Sequence, residues 1–308
     1  MFKKIIVIGA ASLALLAGSL AHAQTFAVAT GDSKGGSTYS QMFREFARVC
    51  GRDLNLVEVE TTGSVENVQK LVGNEVNGAF VQSDLLAFRK MTDPDSVTNI
   101  KTLVPLHTEE LHFIARADVK KEGGIFGFGA DKVTFNTVDD LAGRQVGAVG
   151  GSILSGRVVS SVSGLGFEMK QYANNVELLK GLLDGEVDSI LVVAGAPSKV
   201  VQALDGRYRL LSLSDELIKK LTTGEKAVYV PKKISYTNLN QAGVSSVAVE
   251  ALFVTRTYRS KKVLDSLKAT RECFMNEVGA IQDSRGTHPK WQDVNPDNKG
   301  KWAYYDLQ

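Results

Sequence analysis

TTGSVENVQKLVGNEVNGAFVQSD, residues 61–84, and NVELLKGLLDGEVDSILVVAGAP, residues 175–197, lay down one pattern twice. Each opens on a residue suited to capping a helix, Ser64 in the first and Asn175 in the second. Apolar residues follow at helical spacing: Val65, Val68, Leu71 and Val72, then Val176, Leu179, Leu182 and Leu183. Each stretch then passes into an apolar run that reads as a strand, Glu75–Val81 and Glu186–Val192. When Glu75-Val76-Asn77 is laid on Glu186-Val187-Asp188, the caps coincide, and so do the four apolar positions. The match is one of pattern more than identity, so two ordinary strand-helix units that are alike by chance are the alternative to a true repeat.

The flanking residues extend the pattern upstream. Phe26–Thr30 reads as a strand, Gly31–Ser37 as a Gly/Ser loop, and Thr38–Val49 as a helix on Met42, Phe43, Phe46, Ala47 and Val49. Gly51 is suited to close that helix, and Leu54–Glu60 alternates as a strand. In the second copy, Gln145–Val149 is a strand and Gly150-Gly151-Ser152 begins a loop. Ser155–Val162 reads as a helix closed near Gly164 or Gly166, and Phe167–Tyr172 as a strand.

Two copies of β-loop-α-β-loop-α-β predict an α/β fold of two similar lobes, each a mainly parallel sheet flanked by helices. Ligands of such sheets bind beyond the carboxyl ends of the strands. Helix N-termini near Thr38, Ser64, Ser155 and Asn175 are expected to point there, and their free N–H groups and dipoles favour an anion. The predicted division is residues 24–113 plus 247–308 for lobe 1 and 114–246 for lobe 2. Hinge strands are expected to cross near His112–Arg116 and Val247–Phe253. Asp215–Leu221 reads as a helix, and Tyr229–Tyr236 as an edge strand or a cleft-lining loop.

The chain has 308 residues, 44% hydrophobic and 23% charged, with a formal net charge of +2. That composition excludes a disordered, coiled-coil or collagen-like chain. The near-neutral charge argues against nucleic acid as a partner. Lys3 and Lys4, the apolar run Ile5–Leu20 and Ala21-His22-Ala23 form the three regions of a secretory signal peptide, residues 1–23, with cleavage expected after Ala23. The competing reading, a membrane anchor, needs an apolar run of about 20 residues. Cleavage removes two lysines and no acid, so the mature chain is neutral. In an oxidising compartment Cys50 and Cys273 are expected to pair, with two buried free thiols as the alternative.

Catalytic and cofactor motifs fail. Gly31–Ser37 lacks the lysine of a phosphate loop, Gly31-Asp32-Ser33 breaks a dinucleotide fingerprint, and no HExxH occurs. Neither a metal site nor a cofactor is expected. His107 and His112 sit in a crossing strand, where a hydrogen-bonded structural histidine competes with a pH sensor or ligand contact. Lys34 reads as a loop charge able to steer anions.

GGSTYSQM (35–42), the 61–84 block, GGSILSGR (150–157), DGEVDSILVVAGAP (184–197), VAVEALFVTRTY (247–258) and HPKW (288–291) together resemble the TAXI family of solute-binding proteins, the receptors of one branch of TRAP transporters. The resemblance spans nearly all of the mature chain and is most specific at TGSVENV and VQSD. It implies a type II periplasmic binding-protein fold, no catalysis, and a periplasmic monomer. It further implies that the protein captures a small organic anion or amino acid, a carboxylate such as glutamate or a dicarboxylate, for a membrane permease. The implied ligand shell is Gly36, Ser37, Thr38, Tyr39, Thr62, Gly63, Ser64, Asn67, Gln82 and Asp84 from lobe 1. Lobe 2 contributes Ser152, Ser155, Gly156, Arg157, Gly195 and Pro197. Arg157 suits bidentate carboxylate pairing, with a solvated helix residue as the alternative. The chain departs from the family at Gly151–Leu154, GSIL for the usual GSGT, which implies an apolar wall or a displaced loop. Other readings of the same fold are the binding protein of an ABC importer or sensor kinase, as in phosphonate receptors, or an exported enzyme using the same cleft.

Overall fold

A computed structural model describes residues 25–117, 119–120, 132–224 and 227–307. The expected signal peptide, residues 1–23, lies outside the described residues.

The first unit is β1 (Phe26–Ala29), α1 (Thr38–Leu54), β2 (Leu56–Val59), α2 (Ser64–Val72) and β3 (Gly78–Gln82). β1 pairs in parallel with β2 on one side and with β3 on the other. α1 buries Tyr39, Met42, Phe43, Phe46 and Cys50, the three-and-four spacing of one helix face. It runs through Gly51 and ends at Asn55 in a left-handed conformation. A helix-interior glycine costs only about 1 kcal/mol, and packing of Leu54 against the core outweighs it. α3 (Ser83–Thr92) starts directly after β3 and leads to β4 (Ile100–Arg116), a strand of 17 residues.

After a short ribbon, β5 (Val119–Lys120) with β6 (Lys132–Val133), the second unit repeats the first. It consists of β7 (Gln145–Val149), α4 (Ser152–Ser163), β8 (Glu168–Tyr172), α5 (Asn175–Leu183) and β9 (Ser189–Ala194). β7 again lies between its two parallel partners. α4 starts three residues earlier than expected, so Ile153 and Leu154 sit in its first turn and are buried. α5 is capped by Asn174, whose side chain accepts from Glu177 N, rather than by Asn175.

The chain continues through α6 (Lys199–Gln202), β10 (Tyr208–Leu210), α7 (Asp215–Thr222), β11 (Tyr229–Tyr236), β12 (Gln241–Arg256) and α8 (Lys261–Asp283). Tyr229–Tyr236 is thus a strand, paired antiparallel with β12. The sheet order β2-β1-β3-β12-β4-β9-β7-β8 sets the two parallel triads as mirror-ordered copies on either side of β12 and β4. This is the α/β architecture of type II binding proteins, with the two parallel triads joined by antiparallel strands into one mixed sheet. The first part of β4 pairs with β12 beside β3, and its last part pairs with β9. Between them the β4–β12 ladder slips register, between Glu250 and Leu252. A disulfide joins Cys50 of α1 to Cys273 of α8, with Cα atoms 6.0 Å apart.

Candidate functional site

A cleft of about 390 Å³ opens beyond the carboxyl ends of β1, β2, β3, β7, β8 and β9. Its wall takes in the first residues or caps of four helices: Ser37–Tyr39 of α1, Gly63–Ser64 of α2, Gly151–Ser152 of α4 and Asn174–Asn175 of α5. Four positively polarised backbone ends therefore share one space, which is how a fold without a lysine or arginine in place can hold an anion.

Short hydrogen bonds fix these termini. Asn67, fully buried one turn into α2, donates to the carbonyls of Thr30 (2.5 Å) and Phe80 (2.7 Å), so it braces the ends of β1 and β3. Thr61 Oγ1 donates to Asn67 Oδ1 and accepts from Gly63 N. Ser64 Oγ accepts from Gln82 N at 3.1 Å, so its hydroxyl ties α2 to β3 instead of capping the helix. Ser152 Oγ accepts from Val193 N at 3.1 Å, pinning α4 to β9. Gln82 Oε1 is buried on the cleft wall without a hydrogen-bond partner.

The halves touch across the cleft. Asn175 Nδ2 donates to Gly35 O at 3.1 Å. Buried Asp84 Oδ2 accepts from Ser155 Oγ (2.6 Å) and Tyr229 OH (2.7 Å). Burial pushes the Asp84 carboxyl up, and the two hydroxyls oppose that shift. A Cβ on Gly151 would stand 2.2 Å from Gln82 Oε1 and 3.2 Å from Ser64 Cβ, both in the first unit.

Glu109, on β4, closes the cleft floor. Tyr39 OH donates to its Oε2 at 2.5 Å, and His107 Nε2 lies 3.9 Å from its Oε1. Burial raises the Glu109 carboxyl to about 8, against the lowering effect of the Tyr39 hydrogen bond. His107 is buried and held neutral by desolvation, with both ring nitrogens unpartnered. His112, behind the wall, donates from Nδ1 to Val192 O and accepts at Nε2 from Tyr236 OH, and burial lowers it to about 4. A carboxyl raised in the fold lends stability that is complete at acid pH and lost as pH rises toward its folded value. The histidines act in the opposite sense, and only below about 6.5, their unfolded value. Between pH 6.5 and 8 the ligand-free protein is therefore expected to lose up to about 1.4 kcal/mol per pH unit. Glu109→Gln should flatten that slope, read by urea unfolding at pH 6.5, 7.2 and 8.

Of the residues implied by the resemblance, Gly36, Ser37, Thr38, Tyr39, Thr62, Gly63, Ser64, Gln82 and Ser152 line the cleft. Asn67, Asp84, Ser155, Gly156, Arg157, Gly195 and Pro197 lie outside its wall. Arg157 is exposed on α4 and lines an adjoining groove with Arg89, which shares Thr62 and Glu66 with the cleft. Ile153 and Leu154 border that groove too and do not wall the cleft. Asp32, Glu60, Glu66 and Glu109 also line the wall and are not among the residues implied by the resemblance. Glu109 had a signal, the paired acids Glu109-Glu110 inside a crossing strand. Among the described residues no group of His, Cys, Asp and Glu is placed to hold a metal, and no helix is long and apolar enough to cross a membrane.

No curated protein matches the chain in sequence. Among solved structures, it is similar to an arginine transport system periplasmic binding protein from Legionella pneumophila, at 15% identity and a TM-score of 0.50, covering 88% of this chain and 99% of that one. It is also similar to an ancestral arginine-binding protein bound to arginine, at 12% identity and a TM-score of 0.48 over 84% and 96% of the two chains. A TctC solute-binding protein from Polaromonas gives 15% identity and a TM-score of 0.46 over 92% and 90%. The model of the NMT1-like family matches residues 28–267, most of the length, and the chain belongs to that family.

Proposed function

We propose that the protein is an exported, non-catalytic receptor that captures a small carboxylate-bearing solute between two lobes and hands it to a membrane permease. The observation that carries this reading is the convergence of four helix N-termini on one cleft between duplicated units. The lobes are residues 24–113 with 247–308, and 114–246. The bend falls where β4 and β12 cross, near the slipped register at Glu250–Leu252. Asp84–Ser155, Asp84–Tyr229 and Asn175–Gly35 are the contacts that closure makes and opening breaks. Cleft-lining Ser37, Thr38, Tyr39, Thr62, Ser64, Gln82 and Ser152 are the ligand contacts, and Asn67 positions them. The paired cysteines support folding in the periplasm after removal of residues 1–23. The TAXI-like motifs support a TRAP permease as partner.

A thermal-shift screen of amino and organic acids against native protein is expected to yield at least one strong stabiliser. Gly151→Val places bulk against Gln82 and Ser64 of the opposite lobe, so it should hold the lobes apart. Affinity for that stabiliser should fall at least about tenfold, or about 1.4 kcal/mol, and small-angle scattering should no longer show compaction on ligand addition. A screen in which only macromolecules stabilise the protein would reject the reading.

A further inference from the structure

The cleft wall carries four acidic residues, Asp32, Glu60, Glu66 and Glu109, and no lysine, arginine or histidine among the described residues. Two of the four are already compensated: Glu60 by Arg44 (2.7 Å), and Glu66 by Thr62 N (2.8 Å) and Lys70. Asp32 Oδ1 accepts from Gly35 N. Arg157, the cation that a second carboxylate would need, lines the adjoining groove. A solute with two carboxylates would thus bring an unpaired negative charge into an acidic space, which is costly in a desolvated site.

Two groups on the wall ask for a donor. Gln82 Oε1 is a buried acceptor with no partner. Glu109, also on the wall, is raised to about 8 by burial, which the Tyr39 hydrogen bond and the Lys290 charge only partly offset. On the second unit's side the wall is apolar, with Val149, Ala173, Leu191, Val192, Ala194 and Val200.

We infer that the solute is a zwitterion with one carboxylate, one ammonium and an uncharged apolar remainder. The carboxylate lies on the helix N-termini, the ammonium lies between Gln82 Oε1 and Glu109, and the remainder rests on the apolar side. This deepens the receptor reading above and rests on it.

A proton consequence follows. An arriving ammonium favours ionised Glu109, so binding releases the Glu109 proton. The groups facing Glu109 are Tyr39 from α1, Asp84 from α3, Lys290 from the C-terminal 3-10 turn, and His107 and Glu110 from its own strand. None of the carboxyls among them supplies the missing cation, and Lys290 is committed to Glu110 and Asp293. Affinity for the zwitterion should therefore rise with pH up to about 8, by at most about tenfold per unit, and level off above it.

Calorimetric titration of the native protein with L-leucine, L-phenylalanine, 4-methylpentanoate, leucinamide, L-glutamate and succinate tests this. At least one apolar amino acid should bind at least about tenfold tighter than the other four probes, a gap of about 1.4 kcal/mol. Its affinity should climb between pH 6 and 8, and Glu109→Gln should weaken it and remove the climb. Glutamate or succinate binding as tightly as either amino acid overturns the inference, and so does amino-acid affinity independent of pH in the native protein. Stabilisation by some other solute class with none of these six binding overturns the inference and leaves the receptor reading standing. If no small solute of any class binds, the receptor reading fails and takes the inference with it.

Discussion

Lys290→Met is expected to destabilise the protein by about 3–5 kcal/mol, the range for removing one partner of a buried ion pair. Lys290 Nζ lies 2.5 Å from Glu110 Oε1 and 2.5 Å from Asp293 Oδ2. The Lys290 and Glu110 side chains are only 6% and 4% exposed. Water therefore cannot take over solvation of Glu110 when the ammonium is gone. Glu110 Oε2 also accepts from Ala196 N at 2.8 Å, so the pair ties the C-terminal turn Pro289–Asp293 to the loop after β9. Adding Glu110→Gln to Lys290→Met should restore a large part of the loss, because no uncompensated charge is then buried. Urea unfolding of the two single variants and the double variant reads this. Equal loss in the single Lys290→Met and the double variant would show that packing of the lysine stem, not charge, is what the position supplies.

Loss of the disulfide is expected to cost about as much. Cys50 and Cys273 are separated by 223 residues, and on the chain-entropy model a bond closing a loop of that size contributes about 5 kcal/mol. Cys50→Ser with Cys273→Ser, or reduction of the native protein, should remove most of it. That is a large share of the 5–15 kcal/mol that holds a typical domain. The bond joins α1 to α8, whose apolar faces pack into one core with Phe46, Phe274 and Trp291. Those contacts should keep the reduced protein folded at 25 °C while its urea midpoint falls. An unchanged midpoint would mean that this core already restricts the denatured chain as strongly as the bond does.

Much of the fold was legible because its signals are local and occur twice. The spacing of Met42, Phe43 and Phe46, and of Val68 and Leu71, gives helices, and Gly/Ser turns mark where strands give way to them. Boundaries shifted where distant residues intervened. α1 passes Gly51 because Leu54 finds a core to pack on, and α4 starts at Ser152 because that hydroxyl reaches Val193 N on β9. Ile153 and Leu154 leave an apolar wall or a displaced loop open in the sequence; the helix begins early at Ser152, and Leu154 packs into a cluster with Leu85 and Leu86 of the opposite unit.

By itself the sequence determined the duplicated α/β architecture, because periodicity within a dozen residues decides helix or strand, and repetition decides the pairing of units. It also determined that the helix starts converge, since each follows the carboxyl end of a strand in the same order. Only the tertiary structure decided the charge of the space they enclose. It set Glu109 on the floor, left Gln82 Oε1 without a partner and turned Arg157 outward. Which face of a strand or helix meets the cleft depends on contacts between residues far apart in the chain, such as Asp84 with Ser155 and Tyr229, and no local pattern encodes those.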